Sequence, residues 1–146
     1  MSELPHARSF RELVVYQKAR AVAKRIFVIS QKFPREEMYS LTDQGRRSSR
    51  SVGAQITEAW AKGRYEKHFV SKLTDADGEQ QETQHWIETA ADCEYLTPEE
   101  VRSLISELSE IGRMLNSMIE KADSFCGDPS SALHESVTEY YTSADY

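Results

Sequence analysis

Apolar residues recur at alternating steps of four and three through three long stretches of the chain. This spacing places them along one face of an α-helix, the face by which the helices of a bundle pack together. In chain order the three sets are Val15, Ala19, Val22, Ile26, Ile29 and Phe33; Phe69, Leu73, Ala76, Gln80, Thr83, Ile87 and Ala90; and Val101, Leu104, Leu108, Ile111, Leu115, Met118 and Ala122. They predict helices 1, 3 and 4 of an all-α protein, with polar residues in the middle of the second set.

The start of helix 1 is predicted from a capping signal. Ser9 is followed three residues later by Glu12, the spacing of a capping box, in which a hydroxyl and a carboxylate satisfy backbone N–H groups. Pro34 prevents simple continuation of the helix, because proline disfavours helical geometry in the residue before it. Helix 1 is therefore expected to run from about Phe10 to Lys32.

Helix 4 has the clearest start signal in the chain. Thr97 can cap the helix, Pro98 suits the first helical position and Glu100 completes a second capping box. This helix is expected to end near Asp123, and helix 3 to begin after Tyr65.

Helix 2 is predicted to start within residues 37–42 and to run to Gly63. Its large apolar members are Leu41, Val52, Ile56 and Trp60, and the small residues between them are Gly45, Ser48, Ser49, Ser51, Gly53 and Ala54. Small side chains let another backbone approach closely, so this helix should be tightly packed. Four helices with short links favour an antiparallel, up-down-up-down four-helix bundle.

The predicted organisation is a flexible N-terminus at residues 1–8, the bundle at 9–123 and an acidic, mobile C-terminal tail at 124–146, with a short helix near 133–141. The chain has no apolar run near the ~18 residues that cross a bilayer, and its start lacks a signal-peptide pattern. Cys93 and Cys126 lack zinc-site spacing. We therefore expect a cytoplasmic protein with free thiols and no membrane partner.

Charge is distributed unevenly along the chain, whose formal net charge is −6. Residues 1–72 hold 15 Lys and Arg against 7 Asp and Glu, whereas residues 73–146 hold 3 against 17. The basic helices can lie against the acidic ones within one bundle, or a basic face can meet an acidic face of another subunit. The basic half can also contact nucleic acid.

A predicted basic strip lies on helix 2 and at the junction of helices 2 and 3. It consists of Arg46, Arg47, Arg50, Lys62, Arg64 and Lys67, and Lys72 extends it. Guanidinium groups bind phosphates through forked donors, and the neighbouring Tyr65 and Phe69 could stack on bases. Alternatively, the arginines pair with carboxylates of helix 3, helix 4 or a neighbouring subunit, of which Glu79, Glu82 and Glu88 are examples.

Two further patterns are relevant to chemical function. Glu82 and His85 form a Glu-x-x-His pair, as in di-iron bundles, but such a site needs a second pair, which the sequence lacks. The chain also has no glycine-rich phosphate loop, GxSxG or HExxH motif. We therefore expect neither an enzyme nor a bound metal or cofactor.

The remaining polar and aromatic candidates are interpreted as structural. Glu58 on the small-residue helix is expected to be buried and to pair with an arginine such as Arg47. Trp60 and Trp86 are expected to be packing anchors, within the bundle or between subunits.

The sequence of the second helix resembles that of a known bacterial family. The matching residues are Phe33, Pro34, Tyr39, Leu41, Gln44, Arg46, Arg47, Ser51, Ile56 and Glu58. They follow the family's FP, its tyrosine and leucine, Q-x-R-R-A and S-x-x-x-N-I-A-E. Ser48, Gln55 and Thr57 stand where the family has Ala, Asn and Ala. These four-helix bundle proteins were first described as open reading frames within intervening sequences of large-subunit ribosomal RNA genes, and the resemblance extends over roughly residues 10–125.

The resemblance implies a four-helix bundle that assembles as a ring, commonly a pentamer, without catalytic activity. The family is related to the accessory variability determinant of diversity-generating retroelements, a pentameric bundle that binds nucleic acid and a reverse transcriptase. We therefore expect a homo-oligomer that binds RNA or DNA, foremost RNA, through the basic strip, with a reverse transcriptase as candidate partner. The alternative is a structural or protein-interaction scaffold in which the same residues form salt bridges between subunits.

Overall fold

Four long helices and one short helix follow one another in the computed structural model, which describes residues 7–126. They are α1 (Val14–Ile29), α2 (Asp43–Ala61), α3 (Glu66–Asp92), α4 (Pro98–Glu120) and α5 (Ala122–Phe125). Short 3-10 turns occupy Phe10–Glu12, Ser30–Lys32 and Arg35–Glu37, and a π-helical turn spans Met38–Thr42. The predictions for residues 1–6 and for a short helix near 133–141 lie outside the described residues.

The four long helices form an antiparallel up-down-up-down bundle. Each contacts its neighbour in sequence, and α4 closes the bundle against α1. Lys18 pairs with Glu110, and Arg25, further along α1, pairs with Glu107, earlier on α4. The ion pairs between α2 and α3 run in the same reversed order. Between α3 and α4, Gln80 lies beside Gly112 and Gln84 lies beside Ser109, which is again the reversed order. The predicted fold class is confirmed.

The predicted apolar faces meet in one core. All seven members of the α3 set are buried, including the polar Gln80 and Thr83. On the other helices the periodic residues are also buried, except that Ile29, Phe33 and Val101 are only partly covered. Hydrophobic periodicity therefore identified the packing faces, because burial of those faces drives the helices together.

The start of α1 differs from the prediction. Leu13 has an extended backbone (φ −71°, ψ 129°), and its side chain is 1% exposed. Ser9 caps the separate Phe10–Glu12 turn by accepting a hydrogen bond from the Arg11 N–H. The Glu12 carboxylate accepts from the Arg8 N–H, so the expected capping box is wrong. The α-helix begins four residues later than expected, after the extended residue that buries Leu13.

The start of α4 is confirmed in detail. The Thr97 hydroxyl accepts from the Glu100 N–H at 3.1 Å, and the Glu100 carboxylate accepts from the Thr97 N–H at 2.9 Å. Lys32 also donates to the Glu100 carboxylate at 2.8 Å. One carboxylate therefore caps α4 and ties the end of the first helical segment to it.

Small residues bring α2 close to α3, as predicted. The hydroxyls of Ser48 and Thr83, both 0% exposed, are 2.8 Å apart. A Cβ added at Gly45 would lie 3.7 Å from the Cβ of Trp86. The buried hydroxyls satisfy each other, which removes the cost of placing polar groups in the core.

Core packing continues past residue 123, where the bundle was expected to end. Phe125 on α5 is 3% exposed, and its ring stacks on that of Phe69 with centroids 5.8 Å apart. Residues 122–126 therefore close the end of the bundle near the start of α3.

Alanine substitutions at two helical glycines should have opposite effects on stability. At Gly78 an added Cβ meets no atom within 4 Å, so Gly78→Ala should raise the free energy of unfolding by about 0.5–1 kcal/mol through helix propensity. At Gly112 the Cβ would lie 2.6 Å from the amide nitrogen of Gln80, which donates to Asp77. Displacing this buried amide should outweigh the propensity gain, so Gly112→Ala should destabilise by about 1–2 kcal/mol. Urea denaturation compares the two directly, and equal shifts would contradict the close contact at Gly112.

Candidate nucleic-acid interface

The structure divides the predicted basic strip among three surfaces. Arg46 and Arg50 are four residues apart and lie toward α1, whereas Arg47 lies toward α3. Lys62, Arg64 and Lys67 are exposed at the α2–α3 junction. The six residues therefore do not form one continuous strip.

Arg46 and Arg50 gather around Phe27 of α1. Their guanidinium carbons lie 4.7 and 5.6 Å from the centre of the Phe27 ring, within cation–π distance. Arg46 also donates to the Ser30 hydroxyl at 2.8 Å. These contacts hold the two guanidinium groups in place and leave their charges without an acidic partner among residues 7–126.

Arg47 is engaged by carboxylates, as the alternative interpretation of the arginines predicted. It donates to Glu82 at 2.6 Å and lies 3.5 Å from a Glu79 oxygen. The hydrogen bond with Glu82 raises the pKa of Arg47. Glu58, expected to be buried beside Arg47, is instead exposed and pairs with Lys72 at 3.0 Å, so that prediction is wrong. Arg47 and Lys72 thus join α2 to α3.

The residues at the α2–α3 junction differ in their exposure to solvent. Lys62, Arg64 and Lys67 have no ion pair with any residue in the described part of the chain, and Tyr65 is 63% exposed. Phe69 is buried against Phe125, so its predicted role in base stacking is wrong. The junction offers three cations and one aromatic ring to solvent.

A groove runs between α1 and α2. We define the α1–α2 groove by Arg20, Lys24 and Phe27 on one helix and Arg46, Arg50 and Ala54 on the other. The part lined by Arg20, Lys24 and Arg50 encloses about 500 Å³, and the part lined by Arg46 and Arg50 encloses about 600 Å³. Asp43 and Arg47 also line this second part. Arg20 and Lys24 were missed by the sequence reasoning. Their spacing of four on α1 repeats that of the two arginines on α2, but the sequence does not show that the two pairs face each other.

The cations of α1 fall into two classes. Lys18 and Arg25 point to α4, where they pair with Glu110 at 3.4 Å and Glu107 at 2.8 Å. Arg20 and Lys24 point to the groove and have no carboxylate partner between residues 7 and 126. The α4 carboxylates therefore neutralise one face of α1, and the positive charge of the groove remains.

The other predicted candidates take structural positions. Glu82 accepts from the indole N–H of Trp86 at 3.0 Å as well as from Arg47, and His85 is exposed. Trp60 and Trp86 pack against the core, as expected. In residues 7–126, no group of three or more His, Cys, Asp or Glu side chains is arranged to hold a metal ion. Within the same range no helix is long and apolar enough to span a membrane.

Acid should weaken the inter-helix ion pairs. Hydrogen bonds from Trp86 and Lys32 lower the pKa of Glu82 and Glu100, respectively. The unfolded chain, with its higher carboxyl pKa near 4.3, then binds protons first as the pH falls. The stability that each ion pair contributes is therefore fully present above about pH 4.3 and is lost as the pH falls through the lowered pKa of the folded protein. The loss should be less than about 1 kcal/mol for each partly exposed pair. Urea midpoints at pH 7 and pH 3.5 measure how much stability is lost in acid. This loss should be smaller in Glu100→Gln, which retains the cap, than in the wild-type protein. In the control Glu99→Gln the loss should equal that of the wild type.

Comparisons with known proteins agree with this fold. Residues 11–117 match the family model of the 23S rRNA-intervening sequence protein. A crystal structure of a protein of unknown function from the S23 ribosomal protein family of Bacteroides thetaiotaomicron is 32% identical, with a TM-score of 0.67 over 75% of this chain and 97% of that one. A comparison with curated proteins finds no match. The chain belongs to the 23S rRNA-intervening sequence protein family.

Proposed function

We propose that this chain is a non-enzymatic, homo-oligomeric RNA-binding protein of the cytoplasm whose α1–α2 groove contacts the RNA. The observation that carries the proposal is the convergence of Arg20, Lys24, Arg46 and Arg50 on one groove without an acidic partner among residues 7–126. Phosphate binding by these cations releases counterions. It is favourable even when the whole chain is acidic, because the electrostatic potential near the groove affects the contact more than the net charge does. The family's name refers to an intervening sequence of 23S rRNA, and this supports RNA as the proposed ligand.

The α2–α3 junction is proposed as a secondary contact. Lys62 follows Thr57, at one end of the groove, by five residues, or roughly 7.5 Å of helix rise. Lys62, Arg64 and Lys67 can therefore meet phosphates of a strand that leaves the groove at this end. Arg47 and Lys72, already paired, are left out of the proposed contact.

The proposal is tested with full-length protein purified through nuclease and high salt, and with a fluorescent RNA oligonucleotide. Binding, followed by anisotropy, should weaken steeply between about 50 and 200 mM salt, with a log–log slope near −3 if four phosphates on a single strand are contacted. Light scattering on the same sample gives the oligomer size, for which a pentamer is expected. Absence of RNA binding at the lowest salt would overturn the proposal.

A protein-interaction scaffold is the second candidate. The unpaired junction cations face solvent, and α3 carries seven carboxylates against two lysines. These opposite surfaces suit head-to-tail contacts between subunits. Arg64→Glu should then dissociate the oligomer in light scattering, whereas the RNA-binding proposal expects Arg64→Glu to weaken RNA binding with the oligomer intact.

A further inference from the structure

The α1–α2 groove differs from a flat basic patch because its floor is recessed and apolar. Ala19 and Ala23 of α1 and Gly53 and Ala54 of α2 line the floor, and the cations stand at the rim. Small residues on the α3 side of α2 are covered by close packing, as at Ser48. On the α1 side the Tyr16 ring covers Gly53, and open space remains beside Ala23 and Ala54.

Aromatic rings lie along the length of this space. The Tyr16 ring lies against Gly53, where an added Cβ would be 3.5 Å from a ring carbon. Phe27, 38% exposed, lies eleven residues further along α1, roughly 16 Å away by helix rise. This length suits a few nucleotides of one strand.

A ligand that fits must offer anionic groups to the rim and flat apolar groups to the floor. A single strand does so, because its unstacked bases can turn away from the phosphates and stack on aromatic or guanidinium planes. An A-form duplex keeps its bases stacked inside and presents phosphates and 2′-hydroxyls. We infer that the α1–α2 groove binds single-stranded RNA with its bases turned onto the apolar floor and discriminates against duplex RNA. This inference rests on the proposed RNA-binding function.

The experiment compares three fluorescent probes of equal length with the full-length protein. They are a 12-nucleotide single strand, the same strand annealed to its complement, and a ribose–phosphate strand without bases. Base stacking predicts that the single strand binds about tenfold more tightly than either of the others. Equal binding of the single strand and the strand without bases would overturn the inference and leave the proposed function as a phosphate contact.

A filled groove provides the second measurement. Ala54 is exposed and lines the floor, so Ala54→Leu occupies the space without changing charge or entering the core. It should weaken single-strand binding about fivefold or more, with binding of the strand without bases unchanged. Ala21→Leu, at an exposed position of α1 outside the groove, is the matched control. Failure of every probe to bind wild-type protein would overturn the proposed function as well. If Ala54→Leu binds the single strand as tightly as wild-type protein does, the inference alone is overturned.

Discussion

Phe125→Ala should lower the free energy of unfolding by about 3 kcal/mol, although the residue lies beyond the predicted bundle. Its ring is buried and stacked on Phe69, so truncation removes transfer free energy and leaves a cavity at the end of the core. Urea denaturation followed by circular dichroism measures the change.

Asp123→Ala is the matched control, because it alters the same short helix at an exposed position. It should change stability by less than about 0.5 kcal/mol. If Phe125→Ala were as stable as this control, α5 would contribute nothing to the folded bundle and the boundary at residue 123 would be correct after all.

Charge reversal at Arg46 and Arg50 together should reduce RNA affinity by about 100-fold or more. Each arginine that is lost removes a hydrogen bond to a charged phosphate, which contributes about 1.5–3 kcal/mol, and the introduced carboxylates add repulsion. A carboxylate at position 50 also offsets the positive charge of Arg20 and Lys24, which line the same part of the groove. Anisotropy at fixed low salt gives the affinity, and circular dichroism confirms folding.

A double reversal on the opposite side of the bundle separates local from overall charge. Arg102 and Arg113 of α4 are exposed and have no ion pair with any residue of the described range. Reversing both changes the net charge by the same amount, and RNA affinity should fall by less than about threefold. Equal losses in the two double variants would show that overall charge controls binding and that the α1–α2 groove does not.

Sequence periodicity predicted the helices better than their ends. The residues of α3 that face the core could be named because three-four spacing has one geometric solution. The extended Leu13 could not be foreseen, because its conformation is set by burial against other helices and competes successfully with a local capping signal. Phe125 was missed for a related reason. The polar composition around it indicates a tail, and the stacking partner that orders it is 56 residues away in sequence.

Only part of the candidate site could be predicted from the sequence. The spacing of four correctly placed Arg46 and Arg50 on one face. Arg47 is one residue further on, about 100° around the helix, and whether that direction meets acid or solvent depends on the neighbouring helix. The groove itself could not be predicted, because it is the space that small side chains on two helices leave unfilled.

The division of charge between the two sides of the bundle has a consequence before any contact forms. Helix α1 carries four cations and no acid, whereas α3 and α4 together carry twelve carboxylates against four cations. The protein is therefore an electric dipole across its width, which turns in the field of an approaching polyanion. In the proposed RNA binding, encounters would begin with the α1–α2 edge in front and the acidic edge facing away. The bound protein would then present a negative outer surface, which would repel further RNA strands and limit binding to a single layer.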